Sequence, residues 1–529
     1  MGKNTGGNHA ARDLDAFAAR NFKLLEPYRV DVACKHIEGD LASAKLPVIL
    51  PHEYIYHLHH TKPKLYTEQL LKGCDGETDA LKQFWRHTEH VQPWMRHHPS
   101  WAFIRREPEL CLPLRLHGDA ISYNKQNSKL MVYNFCSVLA HDLPADKAKI
   151  MMLAVREKGV LSLDPLLLAL KWSFQCLADG IMPTHDENGD ELTGERAKYA
   201  GQPIAGGRRH LLVQFVGDWE FLKSAFGLDD THYNTDRICF LCGATKSHGP
   251  ACAWDYACTP GWSHFMTDPD AWLAERVGNV LCSVTGFHLW AIRIDLMHVI
   301  CLGVFHWLNG SIIWELMLEG RWGPEHTPWK DARGVQLERA TKEFRQWCKD
   351  HNVCHSHPKF TLASLSMHSL SSRPCMKGKA HNMNVVADWL ASVTASQTGR
   401  GDQHHDLRAN ACWGFTHGLR VMKRAGMYLT QRQCMQLEEC RQHSLQCYGA
   451  LSSACAANGI PHYVTKPKWH MWDHAIRIAC REKINPVYSW CYRDESFLKS
   501  IARIARRVHG GCFLETKVMH LWLMGKALD

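Results

Sequence analysis

Three acidic residues, far apart in the sequence, stand where carboxylates could share a metal ion. Asp119 and Asp218 each follow a glycine at the end of an apolar run, and Glu495 opens an amphipathic segment. Magnesium prefers carboxylate oxygens in proteins, and it keeps open positions for phosphate oxygens. The pattern therefore predicts that Asp119 and Asp218 share divalent cations such as Mg2+ and that the helix of Glu495 holds a metal ion, with a simple turn as the alternative for each Gly-Asp.

A second set of residues combines cysteine and histidine with the spacing of zinc ligands. Cys239 and Cys242 form a C-x-x-C pair, and His470 and His474 lie four residues apart, on one face of a helix. Together they predict a Cys2His2 site for structural Zn2+. Met471 stands where an H-E-x-x-H metalloprotease needs its glutamate, which argues against that class. The alternative is an all-cysteine site of Cys239, Cys242, Cys252 and Cys258.

Two further groups of polar residues accompany these ligands. Asp295 and His298 form a D-x-x-H pair before an apolar run, where capping of a helix would also explain the aspartate. After Glu495, basic residues recur on roughly its own helical face. A carboxylate above a basic row suits a helix that lies along a phosphate backbone, and a solvated amphipathic helix is the alternative. The predicted DNA-binding residues are Lys499, Arg503, Arg506 and Arg507.

Strands and helices must position these side chains. The apolar run 211–216 predicts a strand buried on both faces, and the alternating leucines of 112–116 predict another. A further strand is predicted over 130–139, a long helix over 145–178 and a last helix over 494–508. Strands, a helix and another strand, with acidic residues at two strand ends, are what an RNase H-like α/β core requires.

The pattern changes along the chain and predicts four segments. They are a mostly helical N-terminal accessory region (1–105), the first part of the catalytic core, ending in C-x-x-C (106–242), a helical insertion (243–465), and the histidine pair with the final catalytic helix (466–529).

Composition excludes several classes of protein. With 45% hydrophobic residues the chain can bury a large core, so it is not a disordered tail. Its 22 cysteines follow no disulfide-like spacing, and the polar residues 1–15 are not a signal peptide, which favours a reducing, intracellular compartment. The apolar run 299–318 is interrupted by polar residues and is not expected to span a membrane. A net charge of +9 permits a polyanionic partner.

In chain order, the motifs resemble those of the DDE transposases of the CACTA/Mirage/Chapaev type and the related Plavaka and Kyakuja-Dileera-Zisupton elements. The family pattern runs from two aspartates through C-x-x-C and D-x-x-H to a histidine pair and a final glutamate. The resemblance covers residues 110–510. The matching residues are Asp119, Asp218, Cys239, Cys242, Asp295, His298, His470, His474 and Glu495.

The resemblance implies an RNase H-like fold interrupted by a zinc-linked helical insertion, as in the related V(D)J recombinase. It implies a DNA transposase, active or domesticated, that cuts and joins strands with two Mg2+ or Mn2+ ions bound by Asp119, Asp218 and Glu495. The implied partner is double-stranded DNA, as transposon ends and as target. The implied setting is the nucleus, and the implied assembly is a homodimer or a higher homo-oligomer.

Several alternatives stay open at the level of sequence. Asp494 adjoins Glu495, and either could be the third acid, with Glu495 favoured; Asp142 could replace Asp119. No separate DNA-binding module is evident. The chain could also be a catalytically silent, zinc-stabilised DNA-binding or scaffold protein. A third possibility is a nuclease or hydrolase with a zinc catalytic site in the crowded residues His351, Cys354, His355 and His357.

Overall fold

Strands occupy the first part of the chain, and helices dominate the rest. The computed structural model describes residues 24–35, 41–71, 78–323, 329–508 and 513–528. The protein is mixed α/β, with a mixed sheet. The strands are β1 (Tyr28–Lys35), β2 (Leu41–Val48), β3 (Cys111–Ser122), β4 (Lys129–Ser137), β5 (Ile150–Arg156) and β6 (Arg209–Val216).

Helices connect these strands and make up most of the chain after β6. In chain order they are α1 (Pro51–Thr61), α2 (Pro63–Tyr66), α3 (Thr78–Val91), α4 (Trp101–Arg106), α5 (Ala145–Ala148), α6 (Asp164–Asp179), α7 (Gly194–Ala197), α8 (Trp219–Phe226), α9 (Pro269–Ala274), α10 (Phe305–Leu318), α11 (Trp329–Asp350), α12 (Ala380–Ala395), α13 (Gln403–Arg424), α14 (Gln431–Ala457), α15 (Pro467–Glu482), α16 (Tyr492–Ala505) and α17 (Leu514–Leu528). A π-helical stretch, Met297–Val304, leads directly into α10.

The chain divides into two compact units. Unit 1 comprises the described residues of Met1–Gly227, Leu273–Arg293 and Tyr492–Asp529. Unit 2 comprises Leu228–Trp272 and the described residues of Ile294–Cys491. These bounds differ from the predicted segments, because both the cysteine pair and the histidine pair fall in unit 2.

Unit 1 contains a four-stranded sheet in the order β5-β4-β3-β6. β3 pairs antiparallel with β4, β4 pairs antiparallel with β5, and β6 runs parallel to β3. Ile292 adds one parallel bridge to Phe215 of β6. The first three strands thus form a meander, and the fourth returns beside the first.

Helices cover both faces of this sheet. Leu116 and its cross-strand partner Phe135 share one face, where Phe135 meets Phe174 of α6 edge to face. The opposite face carries Arg115 and His117, and α16 packs there against β3. Alternation along a strand sends successive side chains to opposite faces, so β3 contributes to both layers.

One prediction about secondary structure is wrong, the long helix over 145–178. Within 145–178 the chain forms the short helix α5, then β5, and only then α6. Residues 150–155 are continuously apolar, which fits a buried strand as well as a buried helix. Besides its helices, the N-terminal region contains the antiparallel pair of β1 and β2, in which Val30 and Val32 are buried.

Unit 2 is built mainly of helices α10 to α15. Its largest fully buried side chains include five tryptophans, Trp262, Trp314, Trp389, Trp469 and Trp472. Among the described residues, the helical stretch Met297–Leu318 is long and apolar enough to cross a membrane. However, 83% of its most apolar stretch is buried inside the protein, and core helices of soluble proteins can have the same length and composition.

The close approach of α8 to β3 predicts that Gly118 tolerates no side chain. A Cβ at Gly118 would lie 2.1 Å from Cε2 of Phe221. Because overpacking of a core typically costs about 1–3 kcal/mol, we expect Gly118→Ala to lower the urea midpoint of unfolding. Gly525→Ala is the control, since its Cβ meets nothing within 4 Å and alanine favours a helix by about 1 kcal/mol. Equal midpoints for Gly118→Ala and wild type would contradict this packing.

Candidate metal centre and acidic sheet edge

A tight turn in unit 2 presents the two cysteine sulfurs. The backbone N–H of Ile238 donates to the carbonyl of Ala244 at 3.0 Å, and that of Leu241 donates to Cys239 Sγ at 3.3 Å. Cys239 and Cys242 are fully buried. The turn therefore directs both sulfurs into the interior.

Helix α15 brings the two histidines to these sulfurs. Nε2 of His470 lies 3.3 Å from Cys242 Sγ, and Nε2 of His474 lies 3.2 Å from the same sulfur. Ligand atoms of all four residues lie within 4.8 Å of one another. Ligands at zinc-like bond lengths around a tetrahedral ion are separated by roughly 3.3–3.8 Å. The four side chains could therefore hold a metal ion.

The surroundings of this cluster exclude water. The ring of Trp262 lies 4.6 Å from that of His470 and 4.7 Å from that of His474. Burial lowers the pKa of His470, which favours the neutral imidazole that binds metals. The neighbouring Cys239 and burial raise the pKa of Cys242 to about 11. Both shifts favour the uncharged forms of Cys242 and His470 when no metal ion is bound.

The other candidate ligands lie outside this cluster. Among the described residues, neither Cys252 nor Cys258 belongs to a group of possible ligands, and Cys258 is exposed and accepts a hydrogen bond from Gln442. This geometry favours the mixed cysteine and histidine set over the all-cysteine alternative. The crowded residues His351, Cys354, His355 and His357 form no such group in the described part of the chain either.

Asp295 and His298 link two segments of unit 2 through hydrogen bonds of the Asp295 carboxylate. Oδ1 of the buried Asp295 accepts hydrogen bonds from the backbone N–H groups of Met297 and Cys491, both at 3.0 Å. Oδ2 lies 2.5 Å from Nδ1 of His298. Burial would raise the pKa of Asp295, but His298 and the backbone donors lower it overall. The pair thus anchors the residue that directly precedes α16.

Asp119 and Asp218 lie at one edge of the sheet in unit 1. His117 of β3 pairs with Val216, the last residue of β6. Just beyond this pair, a Cβ on Gly217 would lie only 2.9 Å from the carbonyl oxygen of Gly118. The next residues along the two strands are the two aspartates. The sequence predicts Asp119 at the end of a strand. In the structure it lies inside β3, because β3 continues to Ser122.

The two aspartates have different local roles. Asp119 continues the alternation of Arg115 and His117, so its side chain lies on the face that α16 covers. Its Oδ1 accepts a hydrogen bond from the Ala120 N–H at 2.6 Å. Asp218 caps helix α8, because its Oδ1 accepts from the Phe221 N–H at 2.7 Å.

Asp494 is engaged in a buried ion-pair network. Its carboxylate is fully buried and lies 2.7 Å from Arg115 Nη2 and 2.5 Å from Lys149 Nζ, with His117 Nδ1 at 3.8 Å. Burial would raise the pKa of Asp494, but the two cations hold it well below its ordinary value. Its oxygens are therefore occupied by protein cations.

Glu495 is the more accessible of the two neighbouring acids. Its side chain is 28% exposed, and its carboxylate lies 4.0 Å from Lys499 Nζ. This difference favours Glu495 over Asp494 as a metal ligand. However, Asp119, Asp218 and Glu495 are not among the groups of described residues whose ligand atoms all lie within 4.8 Å of one another.

Asp142, the alternative to Asp119, lies near the opposite end of the sheet. β4 ends at Ser137, which pairs with Leu114 in the first part of β3. The Asp142 side chain follows this end and is 81% exposed. Asp119 is therefore the acid that shares an edge with Asp218.

The basic residues lie on and after α16. Lys499 and Arg503 are exposed on the helix, whereas Arg506 and Arg507 follow its last residue, Ala505. Arg506 Nη2 donates to the carbonyl of Ser122 at 3.2 Å. Helix α16 thus runs along β3 and ends beside the end of that strand.

Sequence reasoning missed the cations that hold Asp494. Lys149 stands directly before the apolar strand β5, and Arg115 stands inside the alternating strand β3. A charged residue within or beside a buried strand needs a partner of opposite charge. That signal was present, but it does not identify a partner hundreds of positions away.

Comparisons with known proteins identify no family for this chain. No protein-family model matches the chain, and no curated protein matches its sequence.

We predict that the metal centre depends on Cys242, the sulfur that faces both imidazoles. Cys242→Ser should contain one metal ion fewer per chain than wild type, as measured by mass spectrometry of the metals in purified protein. Cys258→Ser is the matched control, because Cys258 lies outside the cluster and is exposed. Equal metal content in wild type and Cys242→Ser would contradict the site.

The buried ion pairs predict that Asp494→Asn destabilises unit 1. The substitution leaves Arg115 and Lys149 buried without their counter-charge, which typically costs about 3–5 kcal/mol. Because the pKa of Asp494 is lowered, its contribution is present above the ordinary aspartate pKa of about 3.9 and is lost as the pH falls below it. The wild-type and variant urea midpoints should differ at pH 7 and converge in acid.

Glu495→Gln is the control for that experiment, since the Glu495 side chain is partly exposed and its carboxylate lies 4.0 Å from Lys499 Nζ. We expect it to change stability by less than about 0.5 kcal/mol. An unfolding midpoint of Asp494→Asn equal to that of Glu495→Gln would show that the ion pairs contribute nothing.

Proposed function

We propose that this protein is a DDE-type DNA transposase, or a domesticated derivative, built on an RNase H-like core. One observation carries the proposal: Asp119 and Asp218 follow neighbouring parallel strands at one sheet edge, and the helix of Glu495 covers the face to which Asp119 points. The strand order supports the same fold, since a three-stranded meander is followed by a fourth strand parallel to the first.

Asp119, Asp218 and Glu495 would hold divalent cations in this proposal. All three are carboxylates, which suit Mg2+ and Mn2+. When bound, such ions activate an attacking oxygen and stabilise the leaving oxygen of a phosphodiester. The partial exposure of Asp218 and Glu495 supports access from solvent.

Other residues of the chain would bind DNA and position the carboxylate of Glu495. Asp494 orients Glu495, because the ion pairs with Arg115 and Lys149 fix the first turn of α16 on the sheet. Lys499 and Arg503 present exposed positive charges along the same helix and would contact the phosphates of double-stranded DNA. Arg506 and Arg507 would extend this contact beyond the helix.

The cysteine and histidine cluster would bind Zn2+ as a structural ion. Two thiolates and two imidazoles are a common tetrahedral zinc set, with no ligand position left for chemistry. The ion would clamp α15 to the C-x-x-C turn within unit 2. The proposal includes action in the nucleus and self-association, since joining two transposon ends requires two active sites.

The test is nicking and strand transfer on supercoiled DNA with Mg2+ or Mn2+. We expect wild type to cut, and we expect Asp218→Asn and Glu495→Gln to reduce the rate by about 100-fold or more through loss of electrostatic stabilisation. Asparagine also caps helices well, so Asp218→Asn should leave α8 intact. Circular dichroism and metal content verify that each variant is folded.

Asp142→Asn is the matched control, because Asp142 is an exposed aspartate near the other end of the sheet. It should cut like wild type. Cleavage that survives in both Asp218→Asn and Glu495→Gln would reject these acids. A folded wild type that binds DNA but never cuts it would replace the proposal with a silent DNA-binding or scaffold protein.

A further inference from the structure

A second buried cluster of possible metal ligands lies in unit 2, apart from the cysteine and histidine centre. It consists of Glu315 on α10, Cys455 in the last turn of α14 and His462 in the link to α15. All three residues are buried, and their ligand atoms lie within 4.8 Å of one another. His404, in the first turn of α13, reaches the same carboxylate.

The geometry around Glu315 Oε1 suits a metal ion. Nε2 of His404 lies 3.1 Å from this oxygen, and Nδ1 of His462 lies 3.4 Å from it. These separations fit hydrogen bonds, and they also fit neighbouring ligands of a tetrahedral ion, which lie roughly 3.3 Å apart. Hydrogen bonding alone gives no role to the sulfur of Cys455.

The charges of the cluster leave Glu315 without full neutralisation. Arg408 is completely buried, and it pairs with Glu319 through two contacts of 2.5 and 3.0 Å. It reaches Glu315 Oε2 through a single contact of 3.1 Å. One guanidinium thus contacts two carboxylates, although Glu319 is partly exposed and also has Nε2 of His405 at 3.3 Å. A buried carboxylate of this kind requires a further cation, either a protonated histidine or a metal ion.

The backbone next to His462 is held in an unusual conformation. Tyr463 has φ of +48°, a left-handed value that a bulky residue rarely adopts. Its N–H donates to Ser311 Oγ at 3.1 Å, and its hydroxyl donates to Glu315 Oε2 at 2.5 Å. These contacts fix the turn that aims His462 at Glu315, and such local strain clusters at binding sites.

We propose that Glu315, Cys455 and His462 bind a second divalent transition-metal ion of the zinc class, with His404 as the fourth ligand. A thiolate, imidazoles and one carboxylate suit Zn2+, whereas Mg2+ and Ca2+ prefer oxygen ligands alone. Arg408 would hold the other carboxylate oxygen, as hydrogen-bonding partners commonly do for metal-bound carboxylates. The ion would tie α10, α13 and the α14–α15 link together, independently of any activity on DNA.

The test measures zinc per chain in the purified full-length protein after dialysis against zinc and then metal-free buffer. We expect Cys455→Ser and, separately, His462→Gln to contain one zinc ion fewer than wild type. Cys447→Ser is the matched control, since Cys447 lies on the same helix outside the cluster. It should keep the wild-type content. Loss in Cys455→Ser must also be additional to that in Cys242→Ser.

Cobalt substitution gives a second measurement. The thiolate-to-cobalt absorption of wild type should weaken in Cys455→Ser and stay unchanged in Cys447→Ser. Zinc content and cobalt spectra of Cys455→Ser and His462→Gln that equal those of wild type would overturn the proposal and leave a protonated histidine as the cation beside Glu315. Because no DNA is involved, this result does not depend on whether the protein cuts DNA.

Discussion

The ion pairs of Asp494 are the interaction on which the acidic edge of unit 1 depends. A single buried carboxylate meets two buried cations, one from β3 and one from the start of β5. Burial makes the arrangement specific, because any displacement of α16 would leave a charge in the interior without a partner. The neighbouring residue, Glu495, is thereby fixed in place without using its own carboxylate.

The two adjacent acids, Asp494 and Glu495, differ in burial and in ion pairing. Asp494 has its oxygens filled by protein cations, so its charge serves to hold the helix. Glu495 keeps a partly exposed carboxylate. A similar division is seen in unit 2, where Asp473, between the two histidines, is buried and paired with Arg441 at 3.0 Å. In both helices a buried, ion-paired aspartate precedes a residue that is proposed as a metal ligand.

Much of the sheet could be predicted from sequence, and the reasons are local. The apolar run of β6 and the alternation in β3 are properties of a few consecutive residues. For β5 the local pattern led to the wrong prediction of a helix, because a continuous apolar run fits a strand or a buried helix. The strand pair near the N-terminus was missed although Val30 and Val32 alternate with polar neighbours.

The spacing within C-x-x-C and H-x-x-x-H predicted two halves of a ligand set. Nothing local showed that Cys242 and His470 would lie 3.3 Å apart.

The discontinuity of unit 1 sets the order in which the protein can be completed during synthesis. Lys149 and Asp494 are 345 positions apart, and all of unit 2 lies between them in the sequence. The ribosome therefore releases β3 to β6 long before the helix that neutralises Arg115 and Lys149 exists. Closing so long a loop adds little entropy cost, because that cost grows only with the logarithm of length. The delay has the larger effect, because the nascent sheet carries two uncompensated charges and an uncovered face until α16 emerges, and transiently exposed surface of this kind favours aggregation.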